Sequence, residues 1–216
     1  MKNIGIIFLS ILILVTSACT VTSPVVIPKI QNTESSVSKR TESVFVYLDN
    51  ELTDEKYEIQ QLMTVFQYDL GDYFKNAVHD SLIKRFTNVV QSESSLSSEN
   101  FDLVVRPELL KFEAPVPPLV TMNTKTEITL KYHVTPRPPS LPFELVATGT
   151  YEILDEEDEQ LYESLQGKDI YYYDFSSGIG LNIPAYSYEA GKDSFMAIHH
   201  ALESLNEQLA QALKNN

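Results

Sequence analysis

Apolar and polar positions alternate most regularly in the middle of the chain. Thr126, Ile128, Leu130, Tyr132 and Val134 are interleaved with Lys125, Glu127, Thr129, Lys131 and His133. Successive strand side chains point to opposite faces, so this is a strand with one buried face. Phe143, Leu145, Ala147, Gly149, Tyr151 and Ile153 repeat the pattern. Between the two runs lies Pro136-Arg137-Pro138-Pro139-Ser140-Leu141-Pro142, whose prolines cannot continue either strand and make a stiff hairpin connection. Such a short link requires an antiparallel pair. Upstream, residues Phe101 to Phe112 alternate imperfectly around Pro107, which predicts a strand with an irregularity or an edge position. Val44 to Leu48, Met63 to Tyr68 and Val89-Val90 read as shorter strands, being rich in β-branched and aromatic residues.

Two segments have helical spacing instead. Phe74, Ala77, Val78, Leu82 and Phe86 recur every three or four residues after Gly71-Asp72, with Asp72 placed to cap the helix. Phe195, Ile198, Leu202, Leu205, Leu209 and Ala212 form one apolar stripe on a helix predicted from about Lys192 to Lys214. The alternating strands need a cover for their apolar face, and these stripes supply it. The fold class is therefore α+β, a mainly antiparallel sheet covered on one face by two amphipathic helices. Leu130, Leu145, Leu202 and Leu205 should be buried.

The chain opens on a different pattern. Met1-Lys2-Asn3 precedes an apolar stretch from Ile4 to Val15, closed by Thr16-Ser17-Ala18 before Cys19, the only cysteine. A charged start, an apolar middle and small residues before a cut are the parts of an export signal. The apolar stretch is short of the roughly 20 residues a spanning helix needs. Val15-Thr16-Ser17-Ala18-Cys19 resembles a bacterial lipobox, in which the signal is cut before the cysteine and the thiol takes up a diacylglycerol. Thr16 departs from the usual small or aliphatic residues, whereas Ala18-Cys19 matches. An acyl anchor gains about 0.8 kcal/mol per buried methylene, so two or three chains hold a protein that one would release. The competing reading is a non-lipidated secretory signal with a spare cysteine.

Residues Thr20 to Thr41 carry serine, threonine, proline and asparagine with scattered charge and show no sustained period. They read as a flexible tether, with an end-to-end distance of roughly 25 Å. Pairing of Val25-Val26-Ile27 along a sheet is the alternative. The expected organisation is a signal peptide over 1–18, a lipid-anchored tether over 19–41 and a single α+β domain over 42–214. Hydrophobic content of 43% is enough for a proper core, and with Cys19 committed to lipid no internal disulfide is available. A formal charge of −14 disfavours nucleic acid and an anionic membrane surface alike. The acyl chains are then the expected membrane contact.

Few residues point to chemistry. His199-His200 are adjacent on a helix and diverge by about 100°, so they do not form the paired face of a zinc helix. His79 and His133 have no cysteine or histidine neighbours in sequence. Asp155 to Glu159 lacks the alternating acid and glycine layout of a calcium loop, and Gly178-Ile179-Gly180 lacks a third glycine at phosphate-loop spacing. No Gly-x-Ser-x-Gly elbow is present. The expectation is no metal, no cofactor, no small-molecule substrate and no catalysis. Val116, Leu119 and Val120 in a proline-rich stretch, and Tyr171, Tyr172, Tyr173 and Phe175 in an aromatic one, lie outside clean periodic elements. Exposed apolar and aromatic loops suit a partner contact, and core packing beneath a long loop is the alternative.

The segments Leu70-Gly71-Asp72-Tyr73-Phe74-Lys75-Asn76-Ala77-Val78-His79-Asp80-Ser81-Leu82, Leu103-Val104-Val105-Arg106-Pro107-Glu108-Leu109-Leu110-Lys111-Phe112-Glu113 and Ala201-Leu202-Glu203-Ser204-Leu205 resemble those of small bacterial envelope lipoproteins. The layout is similar to YajG-like lipoproteins, to the auxiliary lipoproteins of ABC-type lipid transporters and to the lipopolysaccharide-assembly lipoprotein. The acidic and tyrosine-rich stretch over 155–190 departs from them. The resemblance implies an accessory or assembly role without an active site, in which a protein partner of an envelope machine is bound through a sheet edge or loops. With Thr20 in place of the aspartate that retains such proteins at the inner membrane, it implies the outer membrane, periplasmic face, the outer face of the cytoplasmic membrane being the alternative. A periplasmic enzyme with a site built from distant residues, and a structural lipoprotein of a surface appendage or motor, are the other function classes.

Overall fold

The computed structural model describes residues 21–29, 38–49, 52, 54, 56–61, 64–94, 100–115, 125–152 and 183–214. In chain order the elements are β1 (Val21–Val25), β2 (Arg40–Tyr47), β3 (Lys56–Gln61), β4 (Thr64–Asp69), α1 (Leu70–Leu82), β5 (Phe86–Ser92), β6 (Leu103–Glu113), β7 (Lys125–Pro136), β8 (Phe143–Glu152) and α2 (Ile183–Ala212). The strands form a five-stranded sheet in the order β5-β2-β6-β7-β8 and a three-stranded sheet in the order β1-β4-β3. The α+β class stands. Both the β6-β7-β8 meander and the β3-β4 pair are antiparallel, while β5, β2 and β6 run parallel, as do β1 and β4.

The meander follows the alternation directly. Thr126, Ile128, Leu130, Tyr132 and Val134 are buried on one face of β7, opposite Tyr151, Gly149, Ala147, Leu145 and Phe143 of β8. β6 carries a register shift between Leu109 and Lys111, the predicted irregularity. Pairing with β2 ends at Val105, so Pro107 removes a donor where β7 is the strand's ladder partner.

Helix α2 covers this face. Its backbone lies directly on Gly149, where an added Cβ would sit 1.9 Å from the Ala197 carbonyl oxygen and 2.5 Å from the Ala201 nitrogen. Only a residue without a side chain allows that approach. The edge of β8 is closed by α2 side chains: Gln208 Nε2 donates to the Val146 carbonyl at 3.1 Å, and His200 Nδ1 lies 2.9 Å from the Thr150 carbonyl. Helix α1 is tied to α2 by Lys84 and Arg85 just beyond its end, which pair with Glu203 at 3.6 and 3.2 Å. Arg40 at the start of β2 donates to the carbonyls of Ala210 and Leu213, groups a helix C-terminus leaves unpaired.

The three-stranded sheet differs from expectation. β1 occupies residues assigned from sequence to a flexible tether, and its period-2 pattern places Ser23, Val25 and Ile27 inside with Thr22, Pro24 and Val26 outside. Ser23 Oγ and Ser187 Oγ are 2.7 Å apart, and Gly191 lets α2 approach the Val26 carbonyl, 2.2 Å from where a Cβ would stand. With β1 on one side and β8 on the other, every position of α2 from Ala190 to His199 is buried. A helix covered from two sides shows no single apolar stripe. α2 also begins earlier than its predicted start, with Pro184 in its first turn, where a missing N–H is harmless. Tyr57, Tyr68 and Phe112 join the small sheet to β6, with ring centroids 4.9 to 6.0 Å apart in edge-on contacts. Of the four leucines expected inside, Leu130, Leu202 and Leu205 are buried; Leu145 is only half-buried, because it lies toward the hairpin end of an edge strand.

Candidate functional site

The face of β6-β7-β8 turned away from α2 carries a ladder of opposite charges. The register sets Glu108 beside Lys131 and His133 beside Glu144. Lys131 Nζ is 2.8 Å from Glu108, His133 Nε2 is 2.6 Å from the same carboxylate, and His133 Nδ1 is 2.9 Å from Glu144. Further along, Lys111 pairs with Glu127 at 2.8 Å and Glu113 at 3.1 Å, and Lys125 with Glu127 at 3.2 Å. Lys131, followed by His133, holds the Glu108 carboxyl below its ordinary range, and Lys111 followed by Lys125 does the same for Glu127. Cross-strand opposite charges support the pairing. They neutralise one another on a flat surface, and both imidazole nitrogens of His133 face carboxylates. Among the described residues no cluster of histidine, cysteine, aspartate and glutamate has a metal-holding arrangement.

The other edge of the large sheet is β5, which has β2 as its strand partner on one side and no described strand on the other. Thr87, Asn88 and Val90 are exposed along it. Beside the end of β5 lies a shallow, open depression of about 500 Å³ lined by Leu48, Lys75, Gln91, Ser92, Glu93 and Ser94. An edge strand with free backbone groups is a template for an added strand from another chain. Where β2 and β6 meet, Asp102 Oδ2 accepts from the Ser43 backbone nitrogen at 2.8 Å and from its hydroxyl at 2.7 Å. These bonds hold the Asp102 carboxyl below its ordinary range. The β7–β8 hairpin projects Leu141, 81% exposed, among its prolines.

Inside the molecule, His199 is buried against Phe195, with near-parallel rings whose centroids are 6.2 Å apart. Burial, and the neighbouring Lys84 charge, push its pKa down to about 4. Asn206 is fully buried, and neither of its side-chain polar atoms has a hydrogen-bond partner among the described residues. Both side chains lie within the core. His200 turns to the β8 edge and His79 to Asp80 at 3.4 Å, so the adjacent imidazoles of α2 diverge as helical geometry requires.

The residues singled out from sequence for anchoring and partner contact, namely Cys19, Val116, Leu119, Val120, Tyr171, Tyr172, Tyr173 and Phe175, lie outside the described residues. The charge ladder was not among the sequence expectations, whereas a sheet edge was, without the strand β5 that supplies it. Their residues are visible in the sequence as alternating charges in β6 and β7 and a brief Val89-Val90 run, but the ladder needs the cross-strand register, including the shift after Leu109. Among the described residues no helix is long and apolar enough to cross a membrane.

No family model matches the chain, and no curated protein matches it in sequence. Solved structures of similar form include a DUF330 protein from Xanthomonas campestris, with a TM-score of 0.49 and 9% identity over 90% of this chain and 99% of that one. PelC of Paraburkholderia phytofirmans, solved as a dodecamer, has a TM-score of 0.38 and 11% identity over 83% of this chain and 98% of that one. A minor lipoprotein from Acinetobacter baumannii has a TM-score of 0.29 and 10% identity over 83% and 95%.

Proposed function

We propose that this protein is exported, acylated on Cys19 and held at the periplasmic face of the outer membrane, where it binds a protein partner of an envelope assembly and performs no catalysis of its own. The observation that carries this reading is the charged, apolar and small-residue leader ending in Ala18-Cys19, together with the absence of any other cysteine in the chain. The role is of the accessory kind implied by the resemblance to YajG-like and ABC-transport auxiliary lipoproteins. The edge of β5, beside which no described strand lies, supports binding by strand addition, in which main-chain hydrogen bonds give affinity and side chains such as Val90 give specificity.

The test is recovery of partners from solubilised membranes. The wild-type protein is compared with Val90→Lys and with alanine substitutions across 116–120 and across 171–175, each checked for an intact fold by urea unfolding. Loss of a recovered protein with any of the three identifies the contact surface. Unchanged recovery with all three, in folded variants, removes the edge and both loops as binding sites.

A further inference from the structure

Resting on the reading that Cys19 is acylated, we infer that the phospholipid surface lies directly against one end of the molecule, the end formed by the start of β1, the end of β3, the start of β4 and the first turn of α2. Only Thr20 separates Cys19 from Val21, the first residue of β1. Two residues of chain reach at most about 7 Å, so no stand-off is available before the fold begins. β1 is integral to that fold: Val25 and Ile27 are buried, Ser23 is bonded to Ser187 inside, and the strand pairs with β4 from Val21↔Thr64 to Val25↔Tyr68.

The pairing fixes which parts share that end. Thr64 starts β4 beside Val21, and Gln61 ends β3 opposite Thr64. Ser23 lies level with Ser187 and Val26 with Gly191, so α2 runs in the same direction as β1 and its first turn lies beside Val21. The opposite pole follows from α2. Its contacts with β8 pass from Thr150 at His200 to Val146 at Gln208. Eight helical residues rise about 12 Å and four strand residues about 13 Å, so helix and strand are nearly aligned there and run oppositely. Ile183 to Gln208 spans about 38 Å at 1.5 Å per residue. The Pro136–Pro142 hairpin then lies roughly 13 Å farther along β8. Bound by its lipid, the molecule therefore stands end-on, with the hairpin and Leu141 about 50 Å from the bilayer. Its end-on stance comes from the fold.

The full chain, produced with its lipid and placed in phosphatidylethanolamine–phosphatidylglycerol vesicles, tests this. Acylation consumes the native thiol, so Gln60→Cys, exposed at the near end, and Leu141→Cys, exposed at the far end, take a single fluorophore each. A nitroxide on the lipid headgroup, which quenches only at short range, should quench the label at 60 at least twofold more than the label at 141. Inserting ten glycine and serine residues between Thr20 and Val21 adds a stand-off of roughly 17 Å and should erase the difference. Vesicle-bound, acylated protein with equal quenching at both positions, or quenching at 60 that ignores the insertion, overturns the orientation alone. Failure to find the acyl mass on Cys19 overturns the anchor reading and the orientation with it.

Discussion

His199 should make the fold sensitive to mild acid. Its side chain is 6% exposed, packed on Phe195, and faces Lys84, Glu203 and His200. Burial first, and then the Lys84 charge, hold its pKa at about 4 against 6.5 for a free imidazole. As pH falls, the unfolded chain takes up the proton before the folded one does, so the unfolded state binds more protons and stability declines. The loss begins as pH drops through about 6.5 and is complete below about 4; the full difference is about 3 kcal/mol at roughly 1.4 kcal/mol per pK unit. Between pH 7.5 and pH 5 the same linkage removes about 2 kcal/mol. Urea unfolding of the mature chain at both pH values measures it, and with a slope of about 2 kcal/mol/M the midpoint should move by about 1 M. His199→Leu keeps the site apolar and deletes the titration, so its midpoint should move about 1 M less than that of wild type. Equal pH dependence in the two proteins refutes the argument, since the remaining carboxylates and His200 are common to both.

Other substitutions probe the packing of α2. Gly149→Val forces the Ala197–Ala201 backbone off β8 and should cost more than the 1–3 kcal/mol of ordinary overpacking; unfolding within 1 kcal/mol of wild type would mean the close approach is not required. Asn206→Leu removes a buried amide to which the described residues offer no partner and should leave stability unchanged or raise it by about 1–2 kcal/mol, whereas a clear loss would reveal a hidden partner. Leu202→Ala should cost about 2–5 kcal/mol and Leu145→Ala distinctly less, because Leu202 is 1% exposed and Leu145 half-buried; equal losses would contradict that placement.

The meander and its helical cover were legible because each rests on a local period. β7 shows strict alternation over its whole length, and α1 and the later turns of α2 show apolar three-four spacing. β1 was hidden because its inward residues are Ser23, Val25 and Ile27, and a serine and a proline within five residues resemble a tether more than a strand. Its burial depends on Ser187 and Gly191, more than 160 positions away. The early turns of α2 carry Pro184 and Gly191, residue types that ordinarily break helices, while here one is harmless in a first turn and the other admits a carbonyl. The parallel β5-β2-β6 arrangement is a long-range choice that short runs such as Val89-Val90 do not specify. The same holds for the charge ladder, whose members are ordinary surface residues until the cross-strand register sets Glu108 beside Lys131 and His133 beside Glu144.

The most direct test of the account is the mass of the mature N-terminal peptide, taken from membranes of cells producing the full chain, with Cys19→Ser in parallel. The account predicts a chain that begins at Cys19 and carries diacylglycerol, and a serine variant that is either left unprocessed or released from the membrane. A mature N-terminus beyond Cys19, a free thiol there, or a serine variant that is processed and stays membrane-bound at the wild-type level would contradict it.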